Sequence, residues 1–173
     1  GTITMEFPHL QRLVEGNQFD TIYHEHFSYF SFVAAERVFA KAGLAVFDVE
    51  ELPTHGGSLR IYARHAGGDA RPVTEAARAL AARERALGYE RAETYDAFAE
   101  RVRGTKRDLL ALLIGLKREG KRVAGYGAPA KGNTLLNYCG IGPDFLDYTV
   151  ARSPHKQGTL LPGTRIPVRA PEE

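Results

Sequence analysis

The sequence predicts an α/β fold in which helices flank a parallel sheet. The chain from Lys121 to Ala151 alternates in the order strand, helix, strand, and a further short strand follows near Val168. Residues 73–120 are rich in Ala, Arg, Glu and Leu and are typical of helices. A glycine-rich segment, 125–134, joins the first C-terminal strand to its helix. Because successive parallel strands need a crossover, this order favours a Rossmann-like parallel sheet with right-handed connections.

The remaining elements follow from hydrophobic period, caps and turns. Pro8 is suited to the first position of a helix, and Ser31 is suited to an N-cap. The predicted strands cover 3–7, 44–52, 58–64, 122–125 and 145–151, and residues 161–168 are predicted to form a turn and a last short strand. The predicted helices cover 8–15, 32–42, 73–88, 89–120 and 134–139, with a sharp turn over 53–57. Gly104 is placed to break or bend the longest helix.

Length and composition limit the class of protein. The chain has 173 residues, 43% of them hydrophobic and 25% charged, which predicts one soluble globular domain or two small lobes. A net charge of +2 without a basic block argues against a nucleic-acid partner. Cys139 is the single cysteine, which fits the reducing cytoplasm. No run of apolar residues is long enough to span a membrane. Residues 1–8 resemble the end of a strand, so we expect a fragment of a longer protein.

The densest group of reactive side chains is the stretch 19–31, which contains five aromatic residues, two histidines and a glutamate. Tyr23, Glu25 and His26 can each hold or move a proton, and a nearby carboxylate can orient an imidazole. A bend would let these three side chains converge, whereas an extended strand would place His24 and His26 on one face. Three interpretations therefore compete: an acid/base site, a metal site built on His-x-His, and an aromatic core segment with hydrogen-bonded histidines.

The glycine-rich segment predicts an anion site. Gly125 and Gly127 follow a strand and precede a helix, where backbone N–H groups can face phosphate oxygens without interference from a Cβ. Lys131 adds a positive charge. Three residues of the loop after the next strand are placed to close on the same anion: Arg152, Ser153 and Lys156. The alternative is a tight strand-to-helix turn that holds no ligand.

A nicotinamide-dependent oxidoreductase is a competing prediction from the same segment. Such a site needs an acidic residue at the end of the second strand to hold the ribose hydroxyls. That position is Ala151, and Asp147 is predicted to lie inside the strand. The sequence therefore argues against a complete nicotinamide site.

Four separated motifs resemble the C-terminal region of the S-adenosylmethionine-dependent sugar C-methyltransferases, which act on nucleotide-linked 4-keto deoxysugars. The motifs are FDTIYHEH at 19–26, HGGSLR at 55–60, GYGAPAKGN at 125–133 and SPxKQG at 153–158. The resemblance extends from about Met5 to Val168. The family usually has Asp where this chain has Ala151.

The resemblance implies a role for each motif. His26 corresponds to the general base, with Glu25 orienting it and Tyr23 hydrogen-bonding the developing enolate oxygen. His24 is expected to matter least. The implied nucleotide-sugar contacts are His55, Ser58, Arg60, Gly125, Gly127, Ala128, Lys131, Asn133, Arg152, Ser153 and Lys156.

The resemblance also implies partners outside this chain. In the family, a small zinc-binding domain and a domain that binds S-adenosylmethionine precede this region, so zinc and the methyl donor are expected there and no metal here. Residues 1–18 then correspond to the end of the donor domain with a linker helix, and 19–173 to the nucleotide-sugar domain. The chain alone is expected to be inactive. A non-catalytic nucleotide-sugar-binding module is the remaining alternative.

Overall fold

The computed structural model describes residues 1–68 and 71–172 and divides into two compact units. The first unit combines Gly1–Gln18 with Phe27–Glu100, and the second combines Phe19–His26 with Arg101–Glu173. In the part of the chain that the structure describes, no helix is both long and apolar enough to cross a membrane.

The first unit contains an antiparallel sheet. Its strands lie in the order β1-β3-β2 and comprise β1 (Ile3–Pro8), β2 (Leu44–Leu52) and β3 (Ser58–His65). The parallel sheet predicted for the fold is therefore wrong for this half of the chain. The physical reason is the connection: β2 and β3 are joined by a short turn, and a short turn brings neighbouring strands together antiparallel.

Helices cover this sheet and supply the core of the first unit. Helix α1 (Leu10–Glu15) packs in a separate cluster with the start of α4 (Ala92–Arg118), whereas α2 (Phe32–Lys41) and α3 (Glu75–Ala86) pack on the sheet. The N-cap prediction is confirmed, since the Ser31 hydroxyl accepts a hydrogen bond from the Ala34 N–H at 3.2 Å. Phe32, Leu59 and Ile61 are fully buried where α2 and α3 pack on the sheet.

A buried carboxylate joins three elements of the first unit. Glu84 of α3 is completely buried and lies 2.7 Å from Nε2 of His9, which precedes α1. The same carboxylate accepts hydrogen bonds from the N–H groups of Phe32 and Val33, both at 2.9 Å. These N–H groups belong to the first turn of α2, where they have no intrahelical acceptor. Glu84 therefore caps another helix while it holds His9.

The second unit contains the predicted parallel sheet. Its strands, in the order β4-β5-β6, are β4 (Ala124–Tyr126), β5 (Tyr148–Val150) and β6 (Val168–Arg169). The parallel arrangement of these strands confirms that part of the fold prediction. The Rossmann-like assignment stays a prediction.

Two predicted helix boundaries in the second unit are wrong. Helix α5 covers Ala130–Cys139 and so begins four residues before the predicted start at Thr134. Lys131 and Asn133 therefore lie in its first turn and not in a loop. Helix α4 continues without a break through Gly104, because a single glycine costs a helix only about 1 kcal/mol relative to alanine.

Asp147 lies just before β5, and its carboxylate connects α4 with the residue that precedes β4. Its Oδ2 accepts hydrogen bonds at 3.2 Å from Nζ of Lys117 and from the N–H of Val123. These two donors, the lysine first, hold the pKa of Asp147 below its usual range. Asp147 thus lies at the start of β5, whereas a ribose-binding acid would follow the strand's end.

The Glu84 cluster generates the first prediction. Glu84→Gln should lower the free energy of unfolding by roughly 3–5 kcal/mol, because it leaves buried donors without a carboxylate. Urea denaturation followed by circular dichroism measures the change. The matched control is Glu75→Gln, whose side chain is 81% exposed and paired with Arg78, and it should cost less than about 1 kcal/mol. Equal unfolding midpoints for the two variants would show that Glu84 does not hold the unit together.

The Asp147 contacts generate a prediction about pH. A carboxyl whose pKa is lower in the folded state stabilises the fold above its unfolded pKa of about 3.9, and this contribution is lost as the pH falls through the folded value. At pH 7, Asp147→Asn should therefore unfold at a lower urea concentration than the unmodified chain. The difference between the two unfolding midpoints should be smaller near pH 2.5. An equal difference at both pH values would show that the Asp147 carboxylate does not stabilise the fold.

Candidate functional site

The histidine segment, defined as Phe19–His26, folds onto the second unit. A 3₁₀ turn over Phe19–Thr21 begins it, and the Phe19 ring is buried against Tyr138 of α5, with ring centroids 5.1 Å apart. The His26 N–H then donates to the Tyr23 carbonyl at 3.0 Å, which closes a turn. Of the two geometries that the sequence left open, the structure has the bend and not the extended strand.

This turn brings the Tyr23 ring against both histidines. Its centroid lies 5.0 Å from that of His26 and 6.0 Å from that of His24, edge to face in both cases. His26 is half-buried, whereas His24 and Glu25 are exposed. Convergence is therefore observed for Tyr23 and His26, and the role of Glu25 stays a prediction.

Close strand pairing fixes the glycine-rich segment. A Cβ on Gly125 would lie 2.8 Å from Oγ1 of Thr149 on β5, so only glycine fits there. That hydroxyl donates to the Gly127 carbonyl at 2.7 Å, and the Gly127 N–H donates to Val150 at 2.8 Å. Gly127 has φ of +102°, so any side chain at this position would strain the backbone, and the effect of a substitution there would not report on ligand binding alone.

Beyond the glycines, α5 begins with open donors. Pro129 is its N-cap residue and supplies no capping side chain. The N–H groups of 130–132 have no acceptor within the helix, as at every helix start. Lys131 lies in this turn and is half-buried. The segment therefore combines backbone donors, the positive end of the helix dipole and an ammonium group, which together favour an anion.

A cavity of about 350 Å³, here called the smaller cavity, lies beside this helix start. His24 and Asn133 contribute polar groups to its wall. Within the described residues, Oδ1 of Asn133 is buried and has no hydrogen-bond partner. The full lining is His24, Ala128, Pro129, Ala130, Asn133, Lys156, Thr159, Leu160, Leu161, Pro162 and Val168.

A second cavity of about 440 Å³, here called the larger cavity, lies at the carboxyl ends of β4 and β5. Its lining residues are Tyr126, Gly127, Ala128, Pro129, Val150, Ala151, Arg152, Ser153, Lys156 and Pro171. Ala151 is buried, and its carbonyl accepts a hydrogen bond at 2.9 Å from Nε2 of Gln157. The structure thus brings Gly127, Ala128 and the three predicted residues of the following loop to one wall.

Three predicted substrate contacts belong to the first unit. His55 lies in the turn between β2 and β3 with φ of +54° and is exposed. Ser58 is buried, and its hydroxyl donates to the Thr54 carbonyl at 3.1 Å. The Arg60 guanidinium is bonded to Glu6 and Glu50. Each has a structural explanation within its own unit, so their contact with substrate stays a prediction.

Neither a metal site nor a thiolate nucleophile is indicated in the part of the chain that the structure describes. In the ranges 1–68 and 71–172, no group of three or more His, Cys, Asp or Glu side chains is arranged to hold a metal ion. The metal interpretation of His24 and His26 therefore lacks a ligand set there. Burial raises the pKa of the Cys139 thiol, with Lys106 opposing it, which disfavours a thiolate nucleophile.

Some residues that line the two cavities are not among the predicted substrate contacts. His24 was expected to matter least, yet it lines the smaller cavity. Tyr126 is an aromatic residue between two glycines at the end of a predicted strand, the end at which ligands bind in open α/β sheets, and in the structure its side chain is 83% exposed. Residues 159–162, in which Leu160 forms a β-bridge with Pro167, reach the cavity through tertiary packing, which no local pattern reveals.

Comparison with known proteins identifies the family. The model of the C-methyltransferase C-terminal domain matches residues 53–173. The chain is also 43% identical over 176 residues to the C-methyltransferase NovU of Streptomyces niveus. That alignment covers 100% of this chain and 41% of NovU, so the chain spans about two-fifths of its relative's length. The expected resemblance is confirmed: the chain belongs to the C-terminal domain family of the C-methyltransferases.

Proposed function

We propose that this chain is the substrate-binding and general-base part of an S-adenosylmethionine-dependent C-methyltransferase whose substrate is a nucleotide-linked 4-keto deoxysugar. One observation supports the proposal above all. The histidine segment and the glycine-rich segment belong to the same unit, and His24 lines one cavity with Ala128 and Lys156. The segment that carries the proposed base therefore reaches, through His24, the same cavity as the proposed anion-binding loop, and a phosphate-bearing acidic ketone needs both.

In this proposal His26 removes the proton. The carbon next to a ketone is acidic, and a neutral imidazole ring nitrogen of His26 takes its proton while the C–H electrons pass to the carbonyl oxygen as an enolate. The Tyr23 ring packs against His26 with ring centroids 5.0 Å apart, and we propose that its hydroxyl hydrogen-bonds the developing enolate oxygen. Glu25 orients the imidazole and stabilises its charged form. The methyl donor would supply the methyl group that the enolate carbon attacks, and its sulfur would leave as a neutral thioether when the S–CH₃ bond breaks.

The diphosphate of the substrate is held by the glycine-rich segment. The N–H groups at the start of α5 and the ammonium of Lys131 face an anion with complementary charge. Arg152 and Lys156 add positive charge, and Ser153 a hydroxyl, along the wall of the larger cavity. His55, Ser58 and Arg60 remain proposed contacts from the first unit.

The methyl donor does not fit these two cavities. Their walls carry the cations Arg152 and Lys156, which attract phosphate and repel a positively charged sulfonium. We therefore place S-adenosylmethionine in a part of the enzyme outside this chain, together with a zinc-binding domain. Residues 1–18 are proposed to continue from the donor domain, and 19–173 to form the nucleotide-sugar domain.

Two alternatives make different predictions. A non-catalytic nucleotide-sugar-binding module needs the glycine-rich segment but not the histidines. A nicotinamide-dependent oxidoreductase needs an acid after β5, where this chain has a buried alanine at 151. The next experiment separates the first alternative from the enzyme.

The decisive experiment measures proton exchange without the methyl donor. In the longer enzyme that we propose contains this chain, deuterium from the solvent should enter the carbon beside the ketone. His26→Asn should slow this exchange by about 10²–10⁴-fold at saturating substrate, because it removes a positioned base while keeping a polar side chain. Glu25→Gln should slow it less, since it removes only the charge behind the imidazole.

The matched control is His155→Asn, an exposed histidine in the loop after β5, which should exchange at the unmodified rate. His24→Asn should weaken substrate binding more than it slows exchange at saturation, because His24 lines the cavity. If His26→Asn exchanges as fast as the control, His26 is not the base and Tyr23 becomes the candidate. Substrate binding without any exchange in the unmodified enzyme would favour the non-catalytic module.

A further prediction concerns the start of α5. Lys131→Met should weaken binding of a nucleotide-sugar about tenfold, or about 1.4 kcal/mol, because it removes the charge but keeps the aliphatic stem. Isothermal titration calorimetry at low salt measures the change. Lys121→Met, an exposed lysine after α4, is the control and should bind as the unmodified chain does. Equal affinities in both variants would place the phosphates away from α5.

A further inference from the structure

We propose that the two cavities divide the substrate, with the nucleoside in the larger cavity against the Tyr126 ring, the sugar in the smaller cavity, and the diphosphate between them at Lys156. This inference rests on the proposed function, since it assigns the halves of a nucleotide-sugar to parts of one site. It adds a base-stacking residue and a direction of binding that the proposed function does not contain.

The two cavities share a wall. Ala128, Pro129 and Lys156 line both of them. The ammonium of Lys156 donates a hydrogen bond at 2.7 Å to the Ala128 carbonyl and is thereby held at the boundary. A nucleotide-sugar has its two phosphates in the middle, so a cation on the shared wall lies where the diphosphate would cross. Lys156 can exchange the Ala128 carbonyl for phosphate oxygens, which are stronger acceptors.

The larger cavity suits an aromatic base. Tyr126 ends β4 and is 83% exposed, so most of its ring is available to stack. Arg152 and Pro171 line the cavity with it. Stacking of a base on an aromatic side chain contributes about 1–3 kcal/mol and tolerates any base. The Arg152 guanidinium can stack or donate hydrogen bonds at the same place.

The smaller cavity suits the sugar for two reasons. His24 lines it and stands two residues before the proposed base, so a ketone that reacts with His26 belongs on this side. Asn133 presents a buried Oδ1 that lacks a partner among the described residues, and an unpaired buried acceptor costs free energy until a donor reaches it. A sugar hydroxyl is such a donor. The direction of binding follows from these two residues.

The test is calorimetric titration of variants with four probes: thymidine diphosphate, uridine diphosphate, thymidine diphosphate glucose and inorganic pyrophosphate. Of the two nucleoside diphosphates, the one that the unmodified chain binds more tightly is used for comparison. Tyr126→Ala should lower the affinity for it and for the nucleotide-sugar by the same factor, about tenfold, and leave the affinity for pyrophosphate unchanged. Tyr126→Phe should retain the affinity, since the ring is kept. Lys156→Met should weaken all of the probes that bind, pyrophosphate included.

The sugar side has its own comparison. Asn133→Ala should weaken thymidine diphosphate glucose severalfold and leave thymidine diphosphate unchanged. Equal weakening of the two would reverse the assignment of the cavities and overturn the inference. Unchanged nucleotide affinity in Tyr126→Ala would also overturn it while leaving the proposed function intact. If the unmodified chain binds none of the nucleotides, the nucleotide-sugar proposal fails first, and this inference fails with it.

Discussion

The candidate site depends on how closely β4 approaches β5. The Thr149 hydroxyl occupies the space that any side chain on Gly125 would need, and it also holds the Gly127 carbonyl. This contact determines where the chain leaves the sheet, and therefore where α5 begins and where its first N–H groups point. A larger residue at Gly125 would push the strands apart and move the start of α5 with them. Gly125 is thus needed for strand packing, whether or not a ligand binds beside it.

The first unit has a different organising contact. A completely buried carboxylate is costly unless its oxygens are hydrogen-bonded, and Glu84 meets this condition with His9 and two N–H groups of α2. The arrangement links α3, α2 and the start of α1 through one side chain. Because these donors have fixed positions, the carboxylate specifies how the three elements meet, which apolar packing alone does less well.

The features that are predicted correctly from the sequence are those that depend on residues close together in the chain. The Ser31 cap, the hairpin strands and the strand-to-helix position of the glycine-rich segment follow from local spacing. The prediction of a parallel sheet does not account for the antiparallel one. The short turn at 53–57 joins its two strands, and a short turn allows only an antiparallel pair. Glu84 and Thr149 were missed because their partners lie far away in sequence, at 52 residues from Phe32 and 22 from Gly127. The bend at the histidine segment was left open, since nothing local distinguishes it from a strand.

The histidine segment belongs to the second unit, although the chain before it and the chain from 27 to 100 belong to the first. The polypeptide therefore passes between the units three times, after residues 18, 26 and 100. A chimeric enzyme that took only residues 101–173 from this chain would leave His24 and His26 behind, and one joined at 53, where the family match begins, would part β2 from β3. Recombination that keeps the second unit whole must carry everything from Phe19 onward as one block.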